Sequence, residues 1–290
     1  MRLRVWGSRG SLPAPGPATV RYGGNTACVE VRLSDGTLII LDAGTGIRPL
    51  GAALGDVGAT AVHVFLSHLH LDHLQGLPFF GPLWDPDIDL HIWGPPSPTR
   101  TLEQNVARYL SPPLFPIHLE DVPSHPKFHD ARGDLGIGSA MVKARPVSHT
   151  GPTVGYRIEE EGRVLTYIPD HEPGLAIDLR SIEPAWISGH TLAEDADVLL
   201  HDAQYSEQEY PGKLGWGHSS VAHTVDFARI AGVGQLVLFH HDPSHSDAQL
   251  ESLLERAERL WGKDGRMPLL AHEGMEIDLA ELPDRSETTA

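Results

Sequence analysis

The segment Ser67-His68-Leu69-His70-Leu71-Asp72-His73 follows directly on the apolar run Val62, Val64, Phe65 and Leu66. No other stretch constrains the fold as strongly, because three imidazoles and a carboxylate must all be accommodated where an apolar strand ends. Three neighbouring imidazoles repel one another when protonated and waste buried hydrogen-bonding capacity when neutral, so a shared cation is the economical solution. Imidazole and carboxylate ligands suit borderline divalent ions. The absence of cysteine nearby points to an open catalytic site rather than a closed structural one. The expected chemistry is metal-dependent hydrolysis.

A chain of 290 residues with 40% hydrophobic content supports one large α/β domain or two small ones. Its 22 Lys and Arg against 39 Asp and Glu give a formal charge of -17. Such a field disfavours anionic membranes and long nucleic acids, and no local basic run offsets it. The single cysteine, Cys28, sits in the alternating stretch from Ala27 to Leu33 and reads as a small core residue, which suits a reducing cytoplasm. The N-terminus alternates like a strand from Leu3 to Trp6 and lacks a secretory apolar core, and no stretch reaches the length of a membrane span.

Strands are expected at Leu3–Trp6, Ala27–Leu33 and Thr37–Leu41, with Asp35-Gly36 as a hairpin turn. A short helix follows at Ile47–Leu54, then a strand at Val62–Leu66 and a helix starting at Asp72 or His73. Prolines break the middle region, leaving a strand at Ile88–Trp93 and a helix at Thr99–Leu110, with loops that could wall a substrate pocket. Strands at Met141–Val147, Thr153–Ile158 and Val164–Ile168 come next, the last two joined by a turn at Glu161-Gly162. The final third alternates strand and helix: Val198–His201, Ser219–Ala231, Gln235–Phe239, Asp247–Trp261, and a last strand near Leu269–Ala271. Residues 1–282 are expected to form one domain, and the polar tail Pro283–Ala290 to be disordered.

Further ligands are expected where later apolar strands end. His149 follows Met141–Ser148, Asp170 follows Val164–Pro169, and His240 follows Leu236–Phe239. His241 is the rival to His240, but strand alternation sends adjacent side chains to opposite faces. His171 reads as a solvated loop residue at the site's mouth. Arg9 and Asn25 read as ordinary turn residues beside glycines.

The set His68-x-His70-x-Asp72-His73 with His149, Asp170 and His240 resembles the metallo-β-lactamase superfamily, over nearly the whole chain from Leu3 to about Leu270. Asp42 in Leu41-Asp42-Ala43-Gly44 is similar to its first motif, a structural aspartate near the metals. The resemblance implies an αββα four-layer sandwich with a two-metal site at one edge. It implies one ion on His68, His70 and His149, a second on Asp72, His73 and His240, and Asp170 bridging them. Two cations lower the pKa of a shared water, so hydroxide is the expected nucleophile. Zinc is the expected ion, with manganese or iron(II) as alternatives.

Val198–Ala203 and Gly217-His218-Ser219-Ser220 resemble motifs of the ribonuclease Z and phosphodiesterase branch, in which Asp202 would orient His218 to assist a leaving oxygen. The plainer reading makes Asp202 a turn acid and a serine the helix cap. Ribonuclease Z enzymes carry a long glycine and proline arm between the positions of His149 and Asp170, where this chain has only about twenty residues of two strands and a turn. That absence, with the acidic balance, makes tRNA an unexpected partner. The expected substrate is a small phosphodiester, cyclic nucleotides among them, and a homodimer is implied by resemblance alone. A lactonase or β-lactamase, a di-iron redox protein and an inactive metal-binding scaffold are the alternatives.

Overall fold

The computed structural model describes residues 1–55, 61–175, 177–262 and 266–283. Strands β1 (Arg2–Gly7), β2 (Cys28–Arg32), β3 (Leu38–Leu41), β4 (Ala61–Phe65), β5 (Asp89–Gly94) and β6 (Lys127–Asp130) build most of the first sheet. The second holds β7 (Gly133–Ile137), β8 (Ala140–Pro146), β9 (Val154–Glu160), β10 (Arg163–Ile168), β11 (Val198–Asp202), β12 (Gln235–Phe239) and β13 (Leu269–Leu270). A last strand, β14 (Glu276–Asp278), returns to the first sheet beside β1, giving the orders β14-β1-β2-β3-β4-β5-β6 and β13-β12-β11-β10-β9-β8-β7.

The central strands are apolar on both faces, as strands covered on both sides must be. Along β3, Ile39 and Leu41 face the core between the sheets while Leu38 and Ile40 face outward. Along β12, Val237 and Phe239 face inward while Leu236 and Leu238 face outward. Helices α1 (Ile47–Leu54) and α2 (Leu102–Tyr109) cover the outer face of the first sheet. A short helix α3 (His190–Ala193), with α4 (Val221–Ile230) and α5 (Asp247–Trp261), covers the second. The result is the expected αββα sandwich. Helix starts follow their caps: the Ser246 side chain accepts from the Gln249 backbone N–H at the head of α5, and Ser220 does the same for His223 at α4.

Three expectations need correction. The helix expected from Asp72 or His73 is a single 3₁₀ turn, Leu71–His73, followed by two more short turns that hold Pro78 and Pro82. Proline lacks the N–H that a continuing helix needs. Strands β6, β7 and β14 are absent from the sequence reading because they lie at sheet edges, where polar and glycine-rich strands survive. His171 is fully buried, not solvated. Of the tail expected to be disordered, 283–290, residues 284–290 lie outside the described residues, and the carbonyl of its first residue, Pro283, accepts from Arg266 at 2.9 Å.

The buried His201 yields a stability prediction. Its Nδ1–H donates to the Asp202 carbonyl at 2.8 Å, so its Nε2 accepts from His171 Nδ1–H at 2.9 Å, with the ring against Phe227. Burial lowers its pKa to about 4, against the lesser pull of Asp202. Between about 4 and the ordinary 6.5 the unfolded chain binds a proton that the folded chain refuses. This contribution is therefore complete above 6.5 and is lost as pH falls toward 4, by up to about 3 kcal/mol. Urea midpoints measured from pH 4 to 8 are expected to fall less steeply in His201→Gln than in wild type. Equal slopes would reject the assignment.

Candidate metal centre

All nine candidate residues converge at one edge of the sandwich. β3 ends before Asp42, β4 before Ser67 and the histidine cluster, β8 before His149, β10 before Asp170 and β12 before His240, while Asp202 closes β11. Because β3 and β4 run parallel, as do β10, β11 and β12, their carboxyl ends align. Asp42 and His240 both take positive φ, 61° and 58°, a strained conformation for non-glycine residues that costs on the order of 1 kcal/mol each. At β12 this turn places His240 in the cluster. His241 instead donates from Nε2 to the Ala271 carbonyl at 2.9 Å, away from it, as alternation predicts. Gly10 packs against the His240 ring so closely that a Cβ there would lie 2.3 Å from Nδ1.

Asp170 faces two groups of imidazoles with its two oxygens. Oδ2 lies 3.6 Å from His68 Nε2 and 3.7 Å from His149 Nε2, and Oδ1 lies 3.0 Å from His73 Nε2 and 3.3 Å from His240 Nε2. Asp72 Oδ2 approaches the Nε2 atoms of His73 and His240 at 3.1 and 3.2 Å, and His70 Nδ1 stands 3.3 Å from His149 Nε2. The donor atoms of His68, His70 and His149 lie within 4.8 Å of one another, as do those of Asp72, His73, Asp170 and His240.

The outer ring nitrogens are held by other groups, which turns the inner ones toward the centre. His73 Nδ1–H donates to Asp42 Oδ2 at 2.8 Å, His240 Nδ1–H to Gln204 Oε1 at 2.9 Å, and His149 Nδ1–H to the Gly217 carbonyl at 2.7 Å. Asp42 also accepts from the Ser67 N–H, the Ser67 hydroxyl and the Tyr167 hydroxyl at 2.7, 2.9 and 2.8 Å. These bonds leave lone pairs pointing inward, and His68 Nε2 and Asp170 Oδ1 are buried without a hydrogen-bond partner.

Electrostatics agree with a cation site. Burial keeps His68, His70 and His149 below their ordinary pKa, hence neutral and able to ligate. Burial opposes charge on His73 too, yet Asp170, Asp72 and Asp42 outweigh it and raise its pKa well above the ordinary value. Desolvation likewise opposes charge on Asp72 and Asp170, and the surrounding imidazoles hold both below the usual carboxylate range. The centre thus demands positive charge. Its oxygen and nitrogen donors, arranged in two sets about one carboxylate, fit two divalent ions.

Beside the cluster, His218 Nδ1–H donates to Asp202 Oδ2 at 2.8 Å, and its ring stacks on His240 with centroids 4.9 Å apart. Asp202 is fully buried and is itself fixed by N–H donation from His171 and Gln204, each at 3.0 Å. Burial disfavours the imidazolium, but Asp202, then Asp170 and Asp72, raise the His218 pKa to about 9.

Several site residues escaped the sequence reading. Gln204 orients His240, two positions beyond Asp202, and only its place just after a strand hinted at a role. Arg9, read as a turn residue, is fully buried; it donates to the carbonyls of Gly23, Asp242 and His245 at 2.9, 3.1 and 2.7 Å, tying the first loop to the His240 loop. Glu172 accepts from the N–H groups of Gly215 and Gly217 at 3.0 and 2.8 Å, shaping the loop that contacts His149 and precedes His218.

Gly217 is required at its position, with φ 88° and only 2.3 Å between a notional Cβ and His149 Nδ1. Gly217→Ala is expected to weaken metal affinity about 10- to 100-fold by displacing His149. Competition with a chromophoric chelator measures it, and unchanged affinity would refute the role.

The fold and site meet their relatives here. Residues 37–241 match the model described as Beta-lactamase superfamily domain. A protein named Ribonuclease Z from Haloarcula marismortui is 27% identical, with 99% of each chain covered. The metallo-β-lactamase fold protein YhfI from Bacillus subtilis superposes with a TM-score of 0.71 at 18% identity, covering 95% of this chain and 98% of that one. Human tRNase Z, short form, superposes with a TM-score of 0.63 at 19% identity, covering 96% and 99%. The chain belongs to the metallo-β-lactamase superfamily and is a metal-dependent hydrolase. No helix among the described residues is long and apolar enough to cross a membrane.

The expectation that tRNA is an unlikely partner is overturned by the full-length match to a ribonuclease Z. A missing arm changes how a substrate is gripped rather than which bond a site cleaves. A net charge is a sum over the surface and does not exclude local positive potential.

Proposed function

We propose that the chain hydrolyses phosphodiesters, and that His68, His70 and His149 would hold one divalent ion and Asp72, His73 and His240 a second, with Asp170 facing both sets. When bound, such ions acidify water toward neutrality and stabilise developing negative charge. The chain's own residues do the rest. Asp42, Gln204 and the Gly217 carbonyl hold the ligand rings in orientation. His218 holds a proton on Nε2 while Asp202 binds Nδ1–H, so Nε2 is the atom that donates to a departing alkoxide.

The single observation that carries this reading is the His218–Asp202 pair at 2.8 Å, set against the His240 ring. Proton donation to a leaving oxygen serves phosphodiester cleavage, whereas opening a lactone by the same site needs it less. A small phosphodiester suits the adjoining cleft of about 540 Å³, a volume typical of small-molecule sites. A second reading, RNA as the diester, is favoured by the relative named Ribonuclease Z.

The test is a turnover panel on metal-analysed protein: bis(p-nitrophenyl) phosphate, cyclic nucleotides, a tRNA precursor with a 3′ trailer, and an acyl-homoserine lactone. Cleavage of the diesters is expected, and which one is fastest chooses between the two readings. Lactone hydrolysis without diester cleavage would overturn both.

A further inference from the structure

The cleft beside His68 and His70 is walled on its far side by Arg100, Asn105 and Arg108. Asn105, Arg108 and Tyr109 occupy one face of α2, three and four positions apart, and Arg100 directly precedes its capping Thr101. The Tyr109 hydroxyl donates to the Gln75 carbonyl at 2.8 Å, which fastens the helix to the segment that follows the histidine cluster. The wall is thereby tied to the segment that carries the cluster.

In a chain where 39 carboxylates face 22 cations, arginines readily find acidic partners. Arg145 bonds Asp134 at 2.6 Å, Arg180 bonds Asp226 at 2.7 Å and Arg256 bonds Glu207 at 2.6 Å. Among the described residues the guanidinium groups of Arg100 and Arg108, like those of Arg2, Arg48 and Arg132, have no hydrogen bond or ion pair, but only Arg100 and Arg108 line the cleft that holds His68 and His70, and no acidic residue lines it with them. Guanidinium groups bind phosphate through paired, charge-assisted hydrogen bonds. Two of them without an acidic partner among the described residues, lining the same cleft as His68 and His70, form a place for an anion.

We propose that Arg100 and Arg108 form a subsite for a second phosphate of the substrate, on the side of the ion assigned to His68, His70 and His149. The proposal rests on the phosphodiesterase reading for its geometry, since the scissile phosphate occupies the metal centre and the second phosphate reaches the arginines. Asn105, Ser97 and Thr99 supply neutral hydrogen bonds around it, and Leu71, Leu74 and Leu114 give apolar surface to the group between the two phosphates. The substrate class is thus a phosphodiester that carries another phosphate, either a terminal monoester or the next link of an oligonucleotide.

Binding to metal-loaded protein, measured by calorimetry, tests this without relying on turnover. The ligands are adenosine 5′-monophosphate, adenosine 3′,5′-bisphosphate and the unphosphorylated trinucleotide ApApA, and the variant is Arg100→Gln with Arg108→Gln. Both arginines are exposed, so the variant retains the fold. Wild type is expected to prefer the bisphosphate over the monophosphate at least about tenfold, and the double variant to lose that preference while its monophosphate affinity stays within about twofold. Tighter binding of ApApA than of the bisphosphate identifies an internal link, and weaker binding a terminal monoester. Equal wild-type affinity for mono- and bisphosphate, a preference that survives in the variant, or an equal loss for both ligands overturns the subsite. Turnover of bis(p-nitrophenyl) phosphate is followed in parallel. Its absence in wild type would count against the phosphodiesterase reading, while the binding comparison still decides the subsite.

Discussion

Asp170→Asn is expected to lose at least one equivalent of bound metal and nearly all turnover. Asp170 is fully buried, and its two oxygens face separate imidazole sets at 3.0 to 3.7 Å, so among the described residues no other carboxylate faces both halves of the centre. An asparagine has almost the same shape but carries no charge, and its amide N–H₂ would point at a cation or at an imidazole lone pair. The lost charge stabilisation is several kcal/mol, on the order of a thousandfold or more in rate. Metal analysis and steady-state turnover on bis(p-nitrophenyl) phosphate check it together. Wild-type stoichiometry with wild-type rates would remove Asp170 from the centre. Chelation of the wild-type protein followed by readdition of zinc or manganese is the matching control, and activity should follow the metal.

His218→Ala carries the second large effect, and its signature is selectivity. The imidazole is held on Asp202 rather than by the clustered ligands, so metal content should remain that of wild type. With an alkyl leaving group, such as a nucleoside alkoxide, loss of a positioned acid should slow turnover by about 10²- to 10⁴-fold. A p-nitrophenolate departs without needing a proton, so with bis(p-nitrophenyl) phosphate the loss should be far smaller. Asp202→Asn should show the same pattern in weaker form, because the ring remains but its orientation and charge are no longer enforced. Equal losses on both leaving groups would mean that His218 binds substrate or shapes the cleft, not that it donates the proton.

Much of this site was legible in the chain. Ligand-type residues stand directly after apolar runs, and a strand covered on both faces leaves its carboxyl end as the place where polar groups emerge. That reasoning located His149, Asp170 and His240 from local pattern alone, and alternation separated His240 from His241. The helices Ile47–Leu54 and Asp247–Trp261 were equally readable, since apolar spacing and, for the second, a serine cap mark their limits.

Other features had no local signal. Arg9 looks like any polar residue among glycines until the loop after β12, more than 230 positions away, supplies the carbonyls that bury it. Glu172 and Gln204 act through backbone and ring atoms that only the folded chain brings near them. The edge strands β6, β7 and β14 were invisible because their pairing, not their composition, makes them strands. The tRNA expectation failed for a related reason: net charge and a missing arm are averages and absences, while recognition depends on where a few charges stand.

The sequence alone determined the layered α/β class and the strand-end positions of the candidate ligands, because hydrophobic periodicity and side-chain chemistry are local properties. Only the tertiary structure decided which oxygen of Asp170 faces which imidazoles, which nitrogen of each ring points inward, and that Arg100 and Arg108 line one cleft with His68 and His70. Those are relations between segments far apart in the chain, and they exist only once two sheets have packed and aligned their strand ends.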